Sequence, residues 1–192
     1  MKQLIFASLI ITAFGAQADT CDLQALQQPL QLMAQRAQIM KQVAATKWYN
    51  TPNHQAAAYG AIQEVKVLQN AEILADQMGV DPWRLLVFVQ VQMDLSKQIE
   101  AYWINYWNLP STPANQKPTV KTVISLDQLR DQIKQIDGRL YPAINRALPA
   151  IDDCSISKMH VVYQQNFGNI AGIPLHPNYG KVYLQALKGI NG

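Results

Sequence analysis

Apolar residues at three- and four-residue spacing run through most of this chain. Leu23, Leu26, Leu30, Met33, Ala37, Met40 and Ala44 keep the helical period over residues 22–50. Pro29 either kinks this helix or marks its true start. Asn50-Thr51-Pro52-Asn53 is a break with turn chemistry. A second helix is predicted over 54–78, on Ile62, Val65, Leu68, Ala71, Leu74, Ala75 and Met78, with Gly79 as its left-handed stop. Asp81 then caps a third helix over 82–107, with Pro82 at its first position. A fourth helix is predicted over 126–147, capped by Ser125, with Leu129, Ile133, Ile136, Leu140, Ile144 and Leu148 as its stripe. Two shorter helices follow over 155–166 and 178–190, and 168–177 reads as a loop. Residues 109–120 read as an extended, mobile, proline-rich connection and not as a domain boundary. No stretch alternates as a strand would. The fold class is all-α: a single-domain helical bundle with long first and third helices.

Polar groups interrupt these stripes at helical spacing. Arg36 and Lys47 are eleven residues apart. That is close to three turns, so both cations share one face, roughly 16 Å apart along the axis. Met33, Ala37, Met40, Val43 and Ala44 lie on or beside that face. The pair reads either as snorkelling side chains at the edge of a core stripe or as two cations facing a buried anion. On the third helix Gln92, Ser96 and Glu100 climb one face at i, i+4 and i+8, among Leu85, Phe88, Ile99 and Trp103. They read as boundary residues or as a functional polar line. Arg130 adjoins the stripe of the fourth helix.

The first residues look different. Lys2 precedes an apolar run, Leu4 to Phe14, and Ala16-Gln17-Ala18 is a small-x-small cleavage site. Residues 1–18 therefore read as a secretory signal, leaving 19–192 as the mature chain. The run is too short for a permanent membrane helix, so no membrane association is expected after cleavage, and the location is periplasmic or secreted. In that oxidising setting Cys21 and Cys154, the only two cysteines, are expected to pair. The net charge of +3 is too small and scattered for nucleic-acid binding. His54, His160 and His176 are scattered, and no zinc-ligand spacing occurs. No phosphate loop, dinucleotide fingerprint or serine-nucleophile motif is present. Any catalysis should then rely on positioning and electrostatics, without a metal or a covalent nucleophile.

Four pieces of the sequence, in order, resemble the secreted chorismate mutases, the gamma subclass of the all-helical class. They are Arg36 with Lys47-Trp48, then Gly79-Val-Asp-Pro82, then Gln92 through Glu100 with Trp107, and last Leu129-Arg130 through Asp137. The likeness spans about residues 25–145. It implies a cofactor-free [3,3] rearrangement of chorismate, a small dianion, to prephenate. It also implies site roles. Arg36 and Arg130 would clamp carboxylates, and Lys47 would donate to the ether oxygen. Glu100 would face the same oxygen, which requires its protonated form and so a raised pKa. Ser96, Gln92 and Lys97 match family positions at the substrate. The sequence departs from the family early in the second helix, where Arg-Glu, preceded three residues earlier by Asp, becomes Gln63-Glu64 and Gly60. Gln63 can still donate hydrogen bonds to the substrate, without the charge. No cofactor is expected. Chorismate is the expected partner, and the reading leaves room for a homodimer.

Two other readings stay open on sequence alone. One is a non-catalytic binding protein for a small carboxylate on the same scaffold. The other is a docking module that uses Trp83, Tyr102, Trp103, Tyr106 and Trp107, which requires Arg36 and Lys47 to be solvent-exposed.

Overall fold

The computed structural model describes residues 21–57, 60–174, 176 and 178–192. The expected signal segment and its cleavage site lie outside the described residues. Among the described residues there are six α-helices and no strand: α1 (Gln27–Asn50), α2 (Ala61–Met78), α3 (Pro82–Asn108), α4 (Leu126–Asp153), α5 (Ile156–Phe167) and α6 (Tyr179–Lys188).

The first helix starts at Gln27, so Pro29 sits in its first turn, where its missing N–H is no loss. Its buried face includes Leu30, Met33, Ala37, Met40 and Ala44, as the period requires. It packs along α4 and α3, and the three form the body of the bundle. Helices α5 and α6 close one end. There Phe88 of α3 meets Tyr183, 6.1 Å between ring centroids, and Tyr183 meets Tyr163 and Phe167, which stack on each other at 4.4 Å.

The fourth helix, of 28 residues, is longer than either α1 or α3 and runs past the expected end at 147. It contains Pro142 and Pro149. An internal proline leaves the carbonyl four residues earlier without its helical partner. Those residues here are Gly138 and Asn145. Both are exposed, as are the two prolines, so water can take the place of the missing bonds. At its start Ser125 and Gln128 form a reciprocal capping box. At its end the Lys188 ammonium of α6 donates to the carbonyls of Asp152 and Cys154, 2.7 Å each. Cys154 is disulfide-bonded to Cys21, so the segment before α1 is tied to the far end of α4.

Helix α2 begins at Ala61, seven residues later than the expected start. The chain first makes a single 3-10 turn, Pro52–His54, with positive φ at Asn53 and His54. The His54 ring stacks on Trp48, 3.7 Å between centroids, and its Nδ1 donates to the Trp48 carbonyl at 2.9 Å. These contacts hold the turn against α1 and stop helix from forming there. The stop at Gly79 is as expected, with φ 68° and its N–H returned to the last turn.

The apolar stripe expected for α2 is only partly used. Ala71 and Ala75 are buried against the bundle, but Ile62 is 79% exposed and Val65 53%. Ile62 is nine residues before Ala71, about 900° of rotation, which puts it on the opposite face. The helix packs mainly on α3, with Val67, Leu68, Leu74 and Met78 half-buried beside the two alanines, and touches α4 only sparingly. A space is left between them.

The connection 109–120 is folded against the end of α3. Thr112 Oγ1 donates to the Tyr106 carbonyl at 2.5 Å, and the Tyr106 hydroxyl bonds the Gln116 side chain.

Candidate active site

The space between α2 and α4 is a cavity of about 500 Å³, with walls from α1, α2, α3 and α4. Each helix contributes one face at helical spacing. From α1 come Arg36, Met40, Val43 and Lys47, and from α3 Met93, Ser96, Lys97 and Glu100. The snorkelling alternative for Arg36 and Lys47 is thereby excluded. Their side chains are 11% and 23% exposed and border the cavity. That also removes the requirement of the docking-module reading. Of its aromatic residues only Trp83 and Tyr102 are exposed; Trp107 is buried and Trp103 and Tyr106 are half-buried.

Arg36 is held from two sides. Its Nη1 donates to Ser96 Oγ at 3.0 Å, and its Nε lies 3.2 Å from the Asp137 carboxylate. Ser96 in turn donates its own proton to the Gln92 carbonyl at 2.9 Å. At the other end of the face Lys47 Nζ lies 2.5 Å from Glu100 Oε2. Glu100 is a buried residue, between Ile99 and Ala101 on α3. Burial pushes its carboxyl up to about 7, outweighing the opposing pull of Lys47 and then Arg36. A raised pKa is what the resemblance implies at this position, and burial raises it here although the carboxyl is paired with Lys47. Burial likewise raises the Asp137 carboxyl, against the pull of Arg36.

The remaining expected residues are less uniform. Arg130 borders the cavity, but its side chain is 45% exposed and paired with Asp127 at 2.8 Å. It sits at the exposed edge of the cavity, within that surface pair. Lys97 also lines the wall, bridged to Glu64 of α2 at 2.8 Å. Gln63 lines the cavity from α2 as an exposed residue. Gln92 differs from all of these. It is 2% exposed, does not border the cavity, and its Nε2 has no hydrogen-bond partner. Its carbonyl, and not its side chain, serves the site, through Ser96.

Sequence reasoning gave no role to Asp137, Glu64 or Tyr141, all of which line the cavity. A signal for two of them was present. Arg130, Asp137 and Tyr141 lie at i, i+7 and i+11 and so share one side of α4.

Counted together, the cavity wall holds five basic side chains (Arg36, Lys47, Lys97, Arg130, Lys134) and three carboxylates (Glu64, Glu100, Asp137). The excess is positive, and protonation of Glu100 increases it. The cavity also offers apolar wall from Met40, Val43, Met93, Leu129 and Ile133. Such a site suits a small, doubly charged anion with an apolar ring. Among the described residues no cluster of side chains has the makings of a metal site.

No protein-family model matches this sequence. Solved structures do. A chorismate mutase from Burkholderia thailandensis superposes with a TM-score of 0.62 at 22% identity, covering 87% of this chain and 98% of that one. A secreted chorismate mutase from Yersinia pestis gives 0.61 at 20% identity, covering 83% and 92%. A chorismate mutase from Burkholderia phymatum gives 0.55 at 18%, covering 88% and 96%. These likenesses run nearly end to end in the other chains, and on them this protein has the all-helical fold of the chorismate mutases.

Proposed function

We propose that this chain is an exported chorismate mutase, an isomerase that converts chorismate to prephenate inside the α1–α4 cavity. The observation that carries the reading is the convergence on one cavity of Arg36, Lys47 and a Glu100 whose carboxyl titrates near neutrality. The rearrangement breaks the ether C–O bond and forms a C–C bond within one molecule. It needs no cofactor and no proton exchange with the protein. Partial negative charge develops on the ether oxygen as the bond opens. Lys47 and the protonated form of Glu100 supply adjacent donors for that oxygen, in a buried setting where such contacts count for most. Arg36 takes one carboxylate, and Arg130 takes the other once it releases Asp127. The apolar wall holds the ring in the folded shape that the reaction requires. Export fits the Cys21–Cys154 disulfide. Among the described residues, no helix is long and apolar enough to cross a membrane.

Purified protein from residue 19 should consume chorismate, followed by ultraviolet absorbance, and Lys47→Ala should abolish that activity. Absence of turnover at every pH from 4 to 8 would refute the reading. Gln63, where the family carries Arg, favours a second reading: a binding protein for another small carboxylate. In that case a transition-state analogue binds weakly, no turnover occurs, and a different carboxylate raises the melting temperature.

A further inference from the structure

The guanidinium of Arg36 is where three helices meet. Its own helix is α1, its Nε faces Asp137 of α4, and its Nη1 donates to Ser96 of α3. Arginine carries five N–H bonds. Nη1 gives one to Ser96, while Nε lies 3.2 Å from Asp137 Oδ1 as an ion pair whose N–H is off line for a hydrogen bond. No other hydrogen bond to the guanidinium occurs among the described residues. Three N–H bonds remain on the terminal nitrogens, enough for a two-pronged contact with a carboxylate. Ser96 has already given its only proton to the Gln92 carbonyl. It therefore has none to offer a ligand, and its part is to accept from Arg36.

We propose that Asp137 is a positioning residue that fixes Arg36 by Nε, with Ser96 holding Nη1, so that the terminal edge of the guanidinium is aimed into the cavity before a ligand arrives. The inference rests on the proposed function only in taking the ligand to be a small dicarboxylate. The gain is pre-organisation: a long side chain ordered in the empty protein loses less freedom on binding. The contrary view is that Asp137 merely competes with the ligand for Arg36. The two views predict opposite effects of removing it.

The test is a mutant cycle with chorismate as substrate. Asp137→Ala should raise KM about tenfold or more and leave kcat nearly unchanged, because a carboxylate clamp acts alike on ground and transition states. Asp137→Asn keeps an acceptor oxygen and should fall between. On an Arg36→Ala background, Asp137→Ala should add little. An equal loss on both backgrounds, or a lower KM in either Asp137 variant, overturns the proposal. A second measurement does not depend on turnover. The Arg36 Nε–H signal in a proton–nitrogen spectrum should be sharp in the wild type. It should broaden in Asp137→Ala, or in Asp137→Asn if the alanine variant does not fold. An unchanged signal overturns the proposal, even if the protein proves to have no mutase activity and the functional reading fails on its own.

Discussion

Lys47 Nζ sits 2.5 Å from a carboxylate oxygen of Glu100, yet burial still holds that carboxyl near pH 7. At neutral pH the pair is therefore shared between two states. With Glu100 ionised, Lys47 is fixed by a short charged contact. With Glu100 protonated, the site offers two donors and one more net positive charge.

Turnover should follow that balance. Glu100 donates only in its protonated form, so kcat should fall as pH rises through about 7. Glu100→Gln donates at every pH, so its profile should be flat across the same range. A wild-type profile that Glu100→Gln leaves unaltered would remove Glu100 from the donor role. Stability carries the same signature with the same sign. The folded carboxyl binds its proton more tightly than the unfolded one, so stability falls between about pH 4.5 and 7. Denaturant titrations should show this slope, on the order of 3 kcal/mol over the window, in wild type, and a smaller one in Glu100→Gln, where the raised Asp137 carboxyl still contributes.

Ligand binding should draw in protons. A dianion beside Glu100 raises its carboxyl further. Binding of prephenate at pH 7.5, measured by calorimetry in buffers of different ionisation enthalpy, should show uptake of a fraction of a proton. Glu100→Gln should show none.

Gln63 marks where charge is lacking. It lines the cavity from α2 and brings no cation. Gln63→Arg should raise kcat/KM for chorismate by about ten- to a hundredfold, the worth of one charge-assisted contact of roughly 1.5–3 kcal/mol. No gain, in a variant that keeps its helical circular dichroism, would mean that a ligand in this cavity does not reach Gln63.

The Cys21–Cys154 disulfide closes a loop of 133 residues in sequence separation. Cys154 lies 17 residues beyond Asp137 on α4, about 25 Å along the helix. Replacing both cysteines by serine should lower stability by about 2–5 kcal/mol in denaturant titrations. KM at 25 °C should hold, because neither cysteine lines the cavity.

Much of this molecule is legible in its sequence because helix and stripe agree. The period on α1 and α4 placed the core, and Gly79-Val-Asp-Pro82 placed the junction of α2 and α3 within a residue. The eleven-residue spacing put Arg36 and Lys47 on one face, and both reach the cavity. Where sequence reading fell short, tertiary contacts outweighed local preference. Nothing in residues 54–60 announces that His54 stacks on Trp48 and holds the turn out of α2. The stripe of α4 predicts an end at 147, but Pro149 lies on the exposed side and the helix continues to Asp153. Gln92 shares the period of Ser96 and Glu100, and period alone does not distinguish the cavity wall from the layer behind it. The partnership of Arg36 with Asp137 crosses 101 positions, and no local pattern reports it.

Helix α2 supplies one wall of the cavity but buries only Ala71 and Ala75 in the core. The residues of its first turn, such as the exposed Gln63, can therefore change at little cost to the fold. Gly60 at its N-cap and Gln63 in its first turn bring no charge to the cavity, while α1, α3 and α4 bring basic and acidic groups. Natural variation in what the protein accepts should accumulate on α2 first, and a library confined to its cavity face is the shortest route to a new ligand.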